Sequence, residues 1–125
     1  MNVANLKKVV MHLNNLTREL LFLLTHEIKE EENKLTYRQA YIIANMIGYE
    51  VHIIDKIANY ADNRMNNNMK KSLVKLAVLR VKMIVKLLAI VEEMLKDTKY
   101  NNLVNKLGVQ TSMLWSLLME AAAHD

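Results

Sequence analysis

A row of lysines in the second half of the chain is the clearest pattern of chemically active side chains. It consists of Lys71, Lys75, Lys82 and Lys86. Their spacings of 4, 7 and 4 residues place them on one side of a helix, along about 22 Å of its length. Such a row can neutralise phosphates of a nucleic-acid backbone without reading the base sequence. We expect Lys70 and Lys106 to assist; the alternative is that these lysines only keep an apolar helix hydrated.

The positive charge of the chain is concentrated in its second half. The formal net charge is +4, and residues 67–125 carry all of it, with nine basic and five acidic residues. Residues 67–91 hold six basic residues and no acidic one. We therefore predict a small, non-enzymatic, nucleic-acid-associated protein, DNA-binding or RNA-binding, that makes backbone contacts of low specificity.

Two charged residues interrupt otherwise apolar helix faces. Glu50 falls among isoleucines and methionines, and Arg80 falls among leucines, isoleucines and methionines. The polar segment between them centres near residue 66, so Glu50 lies 16 residues before it and Arg80 lies 14 after it. In an antiparallel helix pair these positions have nearly the same height. We predict a buried Glu50–Arg80 ion pair that fixes helix register; the alternatives are a polar pocket and a contact across a subunit interface.

Catalytic and metal-binding motifs are absent from the sequence. Di-metal carboxylate sites of helical bundles use Glu-x-x-His from two helices, yet none of the four histidines has Asp or Glu three positions before it. There is no Cys for a thiolate nucleophile or a soft-metal site. The two glycines cannot build a phosphate-binding loop, and no serine lies in a nucleophile elbow. We expect no enzyme activity, no metal and no cofactor.

Residues 102–122 allow two interpretations. The positions that a helix–turn–helix motif fills with apolar residues and a turn glycine hold Leu103, Leu107, Gly108, Val109, Leu114 and Leu117. The segment therefore resembles that motif of DNA-binding proteins, which implies that Gln110 and Thr111 open a recognition helix. As one continuous helix, the same segment keeps its leucines and Thr111 on one face. We expect Trp115 to pack into the bundle, with base stacking as the alternative.

The pattern of apolar residues predicts four helices. They cover residues 3–29, 37–61 and 69–96 and a segment from about residue 100, and Thr36 is the predicted N-cap of the second. Two Gly and no Pro in 125 residues leave little turn chemistry for a sheet. Because the polar breaks are short, neighbouring helices must be antiparallel. The predicted fold is all-α, a single-domain up-down-up-down four-helix bundle over residues 1–125.

A second hypothesis for function is a protein–protein interaction module. Apolar residues cover most of the circumference of the third helix, more than a bundle helix needs for one core. Met11 and Phe22 fall on the polar side of the first helix, where they could form a partner surface. The chain would then be a homo-oligomeric subunit, such as a coat or scaffold protein, or an adaptor or inhibitor that docks on a larger protein.

The cellular compartment is predicted from two simple features. Cysteine is absent, and the residues after Met1 are polar, so we expect no signal peptide and a reducing, cytoplasmic location. Arg80, Lys82 and Lys86 interrupt the most apolar helix, so we expect no membrane span.

Overall fold

Four helices form the part of the chain that the structure, a computed structural model, describes, which is residues 3–30, 35–61 and 66–124. They are α1 (Val3–Glu30), α2 (Leu35–Tyr60), α3 (Asn67–Leu95) and α4 (Asn101–His124), and these described residues contain no strand. The predicted elements are therefore correct to within about two residues at each end. The prediction of an N-cap at Thr36 is wrong, because α2 already begins at Leu35.

The helices pack as an up-down-up-down four-helix bundle, which confirms the predicted fold. Each helix contacts the next one along the chain, and α1 also contacts α4, so the four axes stand at the corners of a square. The connections are too short to let consecutive helices run parallel. One consequence is that the bundle has four sides, each formed by two neighbouring helices.

The core consists of one apolar row from each helix, closely as the periodicity predicts. Its largest fully buried side chains include Leu13 and Leu20 of α1, Ile54 of α2, Ile84 of α3 and Leu114 of α4. On α1, Thr17 and Leu24 are buried, whereas the neighbouring Leu16 and Leu23 are only half-buried.

Two buried threonines satisfy their own hydroxyl groups. Thr17 Oγ1 donates to the carbonyl of Leu13 at 2.7 Å, and Thr111 Oγ1 donates to the carbonyl of Leu107 at 2.8 Å. Each bond reaches back four residues along the same helix, so the hydroxyl needs no partner across the core. A threonine can therefore occupy a core position that the sequence pattern assigns to leucine.

The helix ends show why the connections form where they do. The Asn66 side chain accepts a hydrogen bond from the Met69 amide at 2.9 Å, so it is the N-cap of α3. After α3, the Thr98 hydroxyl donates to the Leu95 carbonyl at 2.7 Å and accepts from the Tyr100 amide at 3.2 Å. Thr98 therefore links the end of α3 to the start of α4.

The α4 helix is continuous, so the helix–turn–helix interpretation is wrong. Gly108 lies inside the helix without a positive φ angle, whereas the turn of that motif needs a break. A Cβ atom at this position would lie 3.4 Å from Glu92 Oε1 and 4.0 Å from Leu88 Cδ2 of α3. Gly108 therefore serves the close packing of α4 on α3, and no recognition helix begins at Gln110.

Candidate functional surfaces

The four lysines of the predicted row share one exposed side of α3. Lys71, Lys75, Lys82 and Lys86 are all exposed, and none of them forms an ion pair within the described parts of the chain. The two acidic residues of α3, Glu92 and Glu93, follow the row at its C-terminal end. We call these four residues the lysine row; its charges are available to a ligand.

Lys70 and Lys106 do not join the lysine row. Lys70 is half-buried and points about 100° away from Lys71 around the helix. Lys106 lines the groove between α1 and α4, next to His12 and Gln110. The sequence could not place Lys106, because the rotation of α4 about its own axis decides which neighbour it faces.

A groove between α3 and α4 lies beside the lysine row. It has a volume of about 500 Å³, and Lys82, Lys86, Ser112, Trp115 and Ser116 are among its lining residues. Trp115 is only half-buried, so part of its ring remains accessible. Two cations, two hydroxyl groups and an indole ring thus line one groove, which suits a phosphate beside an unpaired base.

Glu50 and Arg80 meet between α2 and α3, but the pair is not buried as predicted. Arg80 Nη1 lies 3.4 Å from Glu50 Oε2, and the Arg80 side chain is 43% exposed whereas that of Glu50 is 15% exposed. Water therefore screens the pair, and its expected contribution falls to about 1 kcal/mol or less. The height of the two residues was predictable; their solvent exposure depends on what covers this side of the bundle.

The outer side of α2 and α3 is an apolar surface that the sequence analysis did not locate. Its exposed members are Ile42, Met46 and Tyr49 of α2 and Leu76, Leu79, Met83 and Ile90 of α3, each between 42% and 66% exposed. We call this set the α2–α3 face. The excess apolar residues of the third helix gave one signal, but the sequence alone could equally assign them to a wide core.

Met11 and Phe22 are exposed as expected, at 55% and 63%, but they are separate from each other. They lie on the same outer side of α1, about 16 Å apart along its axis, with Asn15 and Arg18 between them. The Phe22 ring packs edge-on against the His26 ring at 5.0 Å. These two residues do not form one continuous apolar surface.

Glu27 is the centre of a polar cluster that the sequence did not suggest. Its Oε2 atom accepts a hydrogen bond from the Tyr100 hydroxyl at 2.6 Å and lies 3.3 Å from Lys99 Nζ. The Tyr100 ring also packs edge-on against Tyr37 at 5.8 Å. Through these side-chain contacts, the cluster connects α1 and α2 with the start of α4. No sequence pattern indicates this contact, because 73 residues separate Glu27 from Tyr100.

The described residues hold neither a metal-binding group nor a membrane-spanning helix. In residues 3–30, 35–61 and 66–124, no three His, Asp or Glu side chains gather into a group that could hold a metal ion. Across the same residues, no helix combines the length and the apolar character needed to cross a membrane.

Comparison of this chain with protein-family models, with curated proteins and with solved structures finds no match.

Proposed function

We propose that the chain is a non-enzymatic nucleic-acid-binding protein that holds a single strand along the lysine row. The observation that carries the proposal is the groove in which Lys82 and Lys86 lie beside Trp115. Lysine ammonium groups attract phosphates, and an indole ring stacks on any base. The combination predicts affinity for single strands with little sequence preference.

The lysine row supplies the electrostatic part of this binding. Lys71 and Lys75, like Lys82 and Lys86, are one helical turn apart, or about 6 Å along the axis. The four unpaired ammonium groups follow α3 for about 22 Å, long enough to contact several phosphates. Ser112 and Ser116 add hydroxyl donors at the edge of the groove, where they can bond phosphate oxygens.

Trp115 provides its own spectroscopic test, because it is the only tryptophan in the chain. Titration with an oligothymidylate should quench its fluorescence, and the association constant should fall steeply as salt is raised. The Lys82→Glu variant should lose a large part of the affinity. Lys56→Glu, which changes an exposed charge on α2, is the matched control and should bind almost as the wild type does.

Binding without Trp115 quenching would remove the groove from the proposal. Binding that does not depend on salt, or that Lys56→Glu weakens as much as a lysine-row variant does, would contradict a specific role for the lysine row. A duplex of the same length should bind more weakly, because its bases are already stacked on each other.

The α2–α3 face favours a second function, which is association with an apolar helical surface of a protein. A photo-crosslinking residue at Met46 should capture that protein in the cells that produce the chain. The same residue at Phe22, which is equally exposed but isolated on α1, is the control and should give no adduct. Equal yields at the two positions would contradict this function, and the adduct mass identifies the class of partner.

A further inference from the structure

We infer that the α2–α3 face binds the same face of a second copy of this chain, with the two-fold axis along the groove between α2 and α3. The inference rests on the second function above, association through this face, and names the partner. On α3 the face borders the lysine row, because Leu79 falls between Lys75 and Lys82 along the helix. Three features of the face support the inference: the spacing of its apolar residues, its size and its charges.

The apolar residues of the face have the spacing of helices that pack on other helices. On α2, Ile42, Met46, Tyr49 and Ile53 follow each other at intervals of 4, 3 and 4 residues. On α3, Leu76, Leu79, Met83 and Ile90 follow at 3, 4 and 7. These intervals are those of a helical bundle seam, with Lys86 at the position between Met83 and Ile90. Each helix therefore carries one seam toward its own core and a second one toward the outside.

The face has the size that a specific dimer requires. From Ile42 to Tyr60 on α2 and from Met69 to Ile90 on α3, exposed apolar residues recur over about 30 Å of helix. Two helices side by side make the face roughly 20 Å wide. A stable dimer buries about 800 Å² on each partner. Exposed apolar patches of this order on a single molecule mark an interaction site.

The charges at the middle of the face favour a second copy as the partner. They also favour one of two possible two-fold axes. Glu50 and Arg80 lie side by side at the same height. A two-fold axis along the groove exchanges α2 with α3, so Arg80 of each copy faces the partner's Glu50. An axis across the groove, centred on the pair, places like charges over each other, which is unfavourable in a desolvated interface. Only the first arrangement is self-complementary.

The existing ion pair leaves room for this second contact. Arg80 donates one hydrogen bond, from Nη1 to Glu50 Oε2, and at 3.4 Å that bond is long. A guanidinium has five donors arranged for bidentate contact with carboxylates. The Arg80 side chain is 43% exposed, so its remaining N–H groups can reach the partner's Glu50. Four residues would then form one closed network at the dimer centre.

Light scattering of the purified full chain tests the inference by charge exchange. The wild type should have twice the monomer mass of 14.5 kDa. Glu50→Arg and Arg80→Glu should each weaken the dimer by about a hundredfold or more, because each places two like-charge contacts at its centre. An equimolar mixture of the two variants should recover a dimer, since Arg at position 50 then faces Glu at position 80 of the other chain.

A second variant and a spectrum keep the test decisive. Circular dichroism of each variant should remain fully helical; if a charge variant unfolds, Met83→Lys, an exposed position, replaces it and should give a folded monomer. A wild type that is monomeric at every soluble concentration overturns the inference. So does a dimer that neither Met83→Lys nor the charge variants weaken. Crosslinking of Met46 to a larger foreign protein would keep the second function and overturn only the second copy.

The direction of the axis has its own test, because the chain has no cysteine. Met46 lies at nearly the height of Met83 on the neighbouring helix, since positions 50 and 80 are level. With the axis along the groove, Met46→Cys of one chain should form a disulfide with Met83→Cys of the other. Met46→Cys joined preferentially to itself would place α2 against α2 and overturn this axis.

Discussion

The α1–α4 side and the α2–α3 side of the bundle differ in the residues that they expose. The grooves of the α1–α4 side combine exposed apolar residues, Val109 and Met113, with charged and polar ones, among them Lys8, His12, Glu19, Lys99 and Lys106. The α2–α3 side has exposed isoleucine, leucine and methionine around one half-exposed ion pair. Polar groups are therefore more frequent along the first side, and exposed apolar residues are more frequent along the second.

The hydrogen bonds of the two sides differ in the same sense. On the α1–α4 side, Glu27 has short contacts to both Tyr100 and Lys99, so its carboxylate is satisfied within the chain. On the α2–α3 side, one 3.4 Å bond joins Arg80 to Glu50. The two sides therefore differ in how fully the charged group in their groove is hydrogen-bonded within the chain.

The largest expected effect comes from two adjacent isoleucines of α2. Ile54 is fully buried in the core, so Ile54→Ala should cost about 2–5 kcal/mol of unfolding free energy. Ile53 is half-buried on the side of the α2–α3 face, so Ile53→Ala should cost less unfolding free energy. This cost should grow with protein concentration as the dimer forms. Urea denaturation at two protein concentrations measures both. A concentration-independent cost for Ile53→Ala would contradict the difference between the two sides.

The Glu27 cluster should show the next largest effect. Tyr100→Phe removes the 2.6 Å hydrogen bond to a carboxylate that is 13% exposed, and we expect a loss of about 1–3 kcal/mol. Tyr49→Phe is the matched control on the other side of the bundle. The Tyr49 side chain is exposed in the single chain, so at protein concentrations that keep the chain monomeric its hydroxyl should contribute less than about 0.5 kcal/mol. Thermal denaturation of both variants gives the comparison.

The two glycines should show a smaller effect, with the opposite sign. At Gly48 a Cβ atom would meet Thr17 Cγ2 at 3.6 Å, an ordinary contact. Gly48→Ala should therefore stabilise the protein by up to about 1 kcal/mol through helix propensity. Gly108→Ala should gain less, because its Cβ atom would approach Glu92 Oε1 to 3.4 Å. Destabilisation by Gly48→Ala would mean that α1 and α2 lie closer than described.

The smallest expected effect is electrostatic and lies at the exposed end of α3. Lys96 Nζ donates to Glu93 Oε1 at 2.9 Å, and this hydrogen bond raises the pKa of Lys96 above its usual 10.5. Because the folded-state pKa is the higher one, any stabilisation is complete below about pH 10.5 and disappears as the pH rises through the folded value. NMR titration should show Glu93→Gln lowering the pKa of Lys96. An unchanged pKa would contradict the stated cause.

The sequence predicted the bundle well because helix periodicity and short connections restrict it. It also predicted that Glu50 and Arg80 lie at one height, since residue counts on both sides of a connection fix register between antiparallel helices. The caps were harder. Asn66 and Thr36 are both plausible cap residues by type, and only the backbone decides which one precedes the first turn.

The surfaces were harder to predict because they depend on the rotation of each helix. Lys106 faces α1 rather than the lysine row, and a rotation of a few tens of degrees separates these outcomes. The surplus apolar residues of α3 were visible, but periodicity cannot say whether a third side is covered within the chain. The sequence predicts that Trp115 packs into the bundle. Its position beside Lys82 depends on how α3 and α4 pack against each other.

The α3 helix restricts the amino-acid substitutions that the chain can accept. The helix offers about 3.6 positions per turn, and it divides them among the core, the α2–α3 face and the lysine row. Few positions remain at which a substitution would be neutral. The outer side of α1, with its isolated Met11 and Phe22, does not contribute to several surfaces at once. A saturation mutagenesis map should therefore show α3 as the least tolerant helix and outer α1 as the most permissive surface.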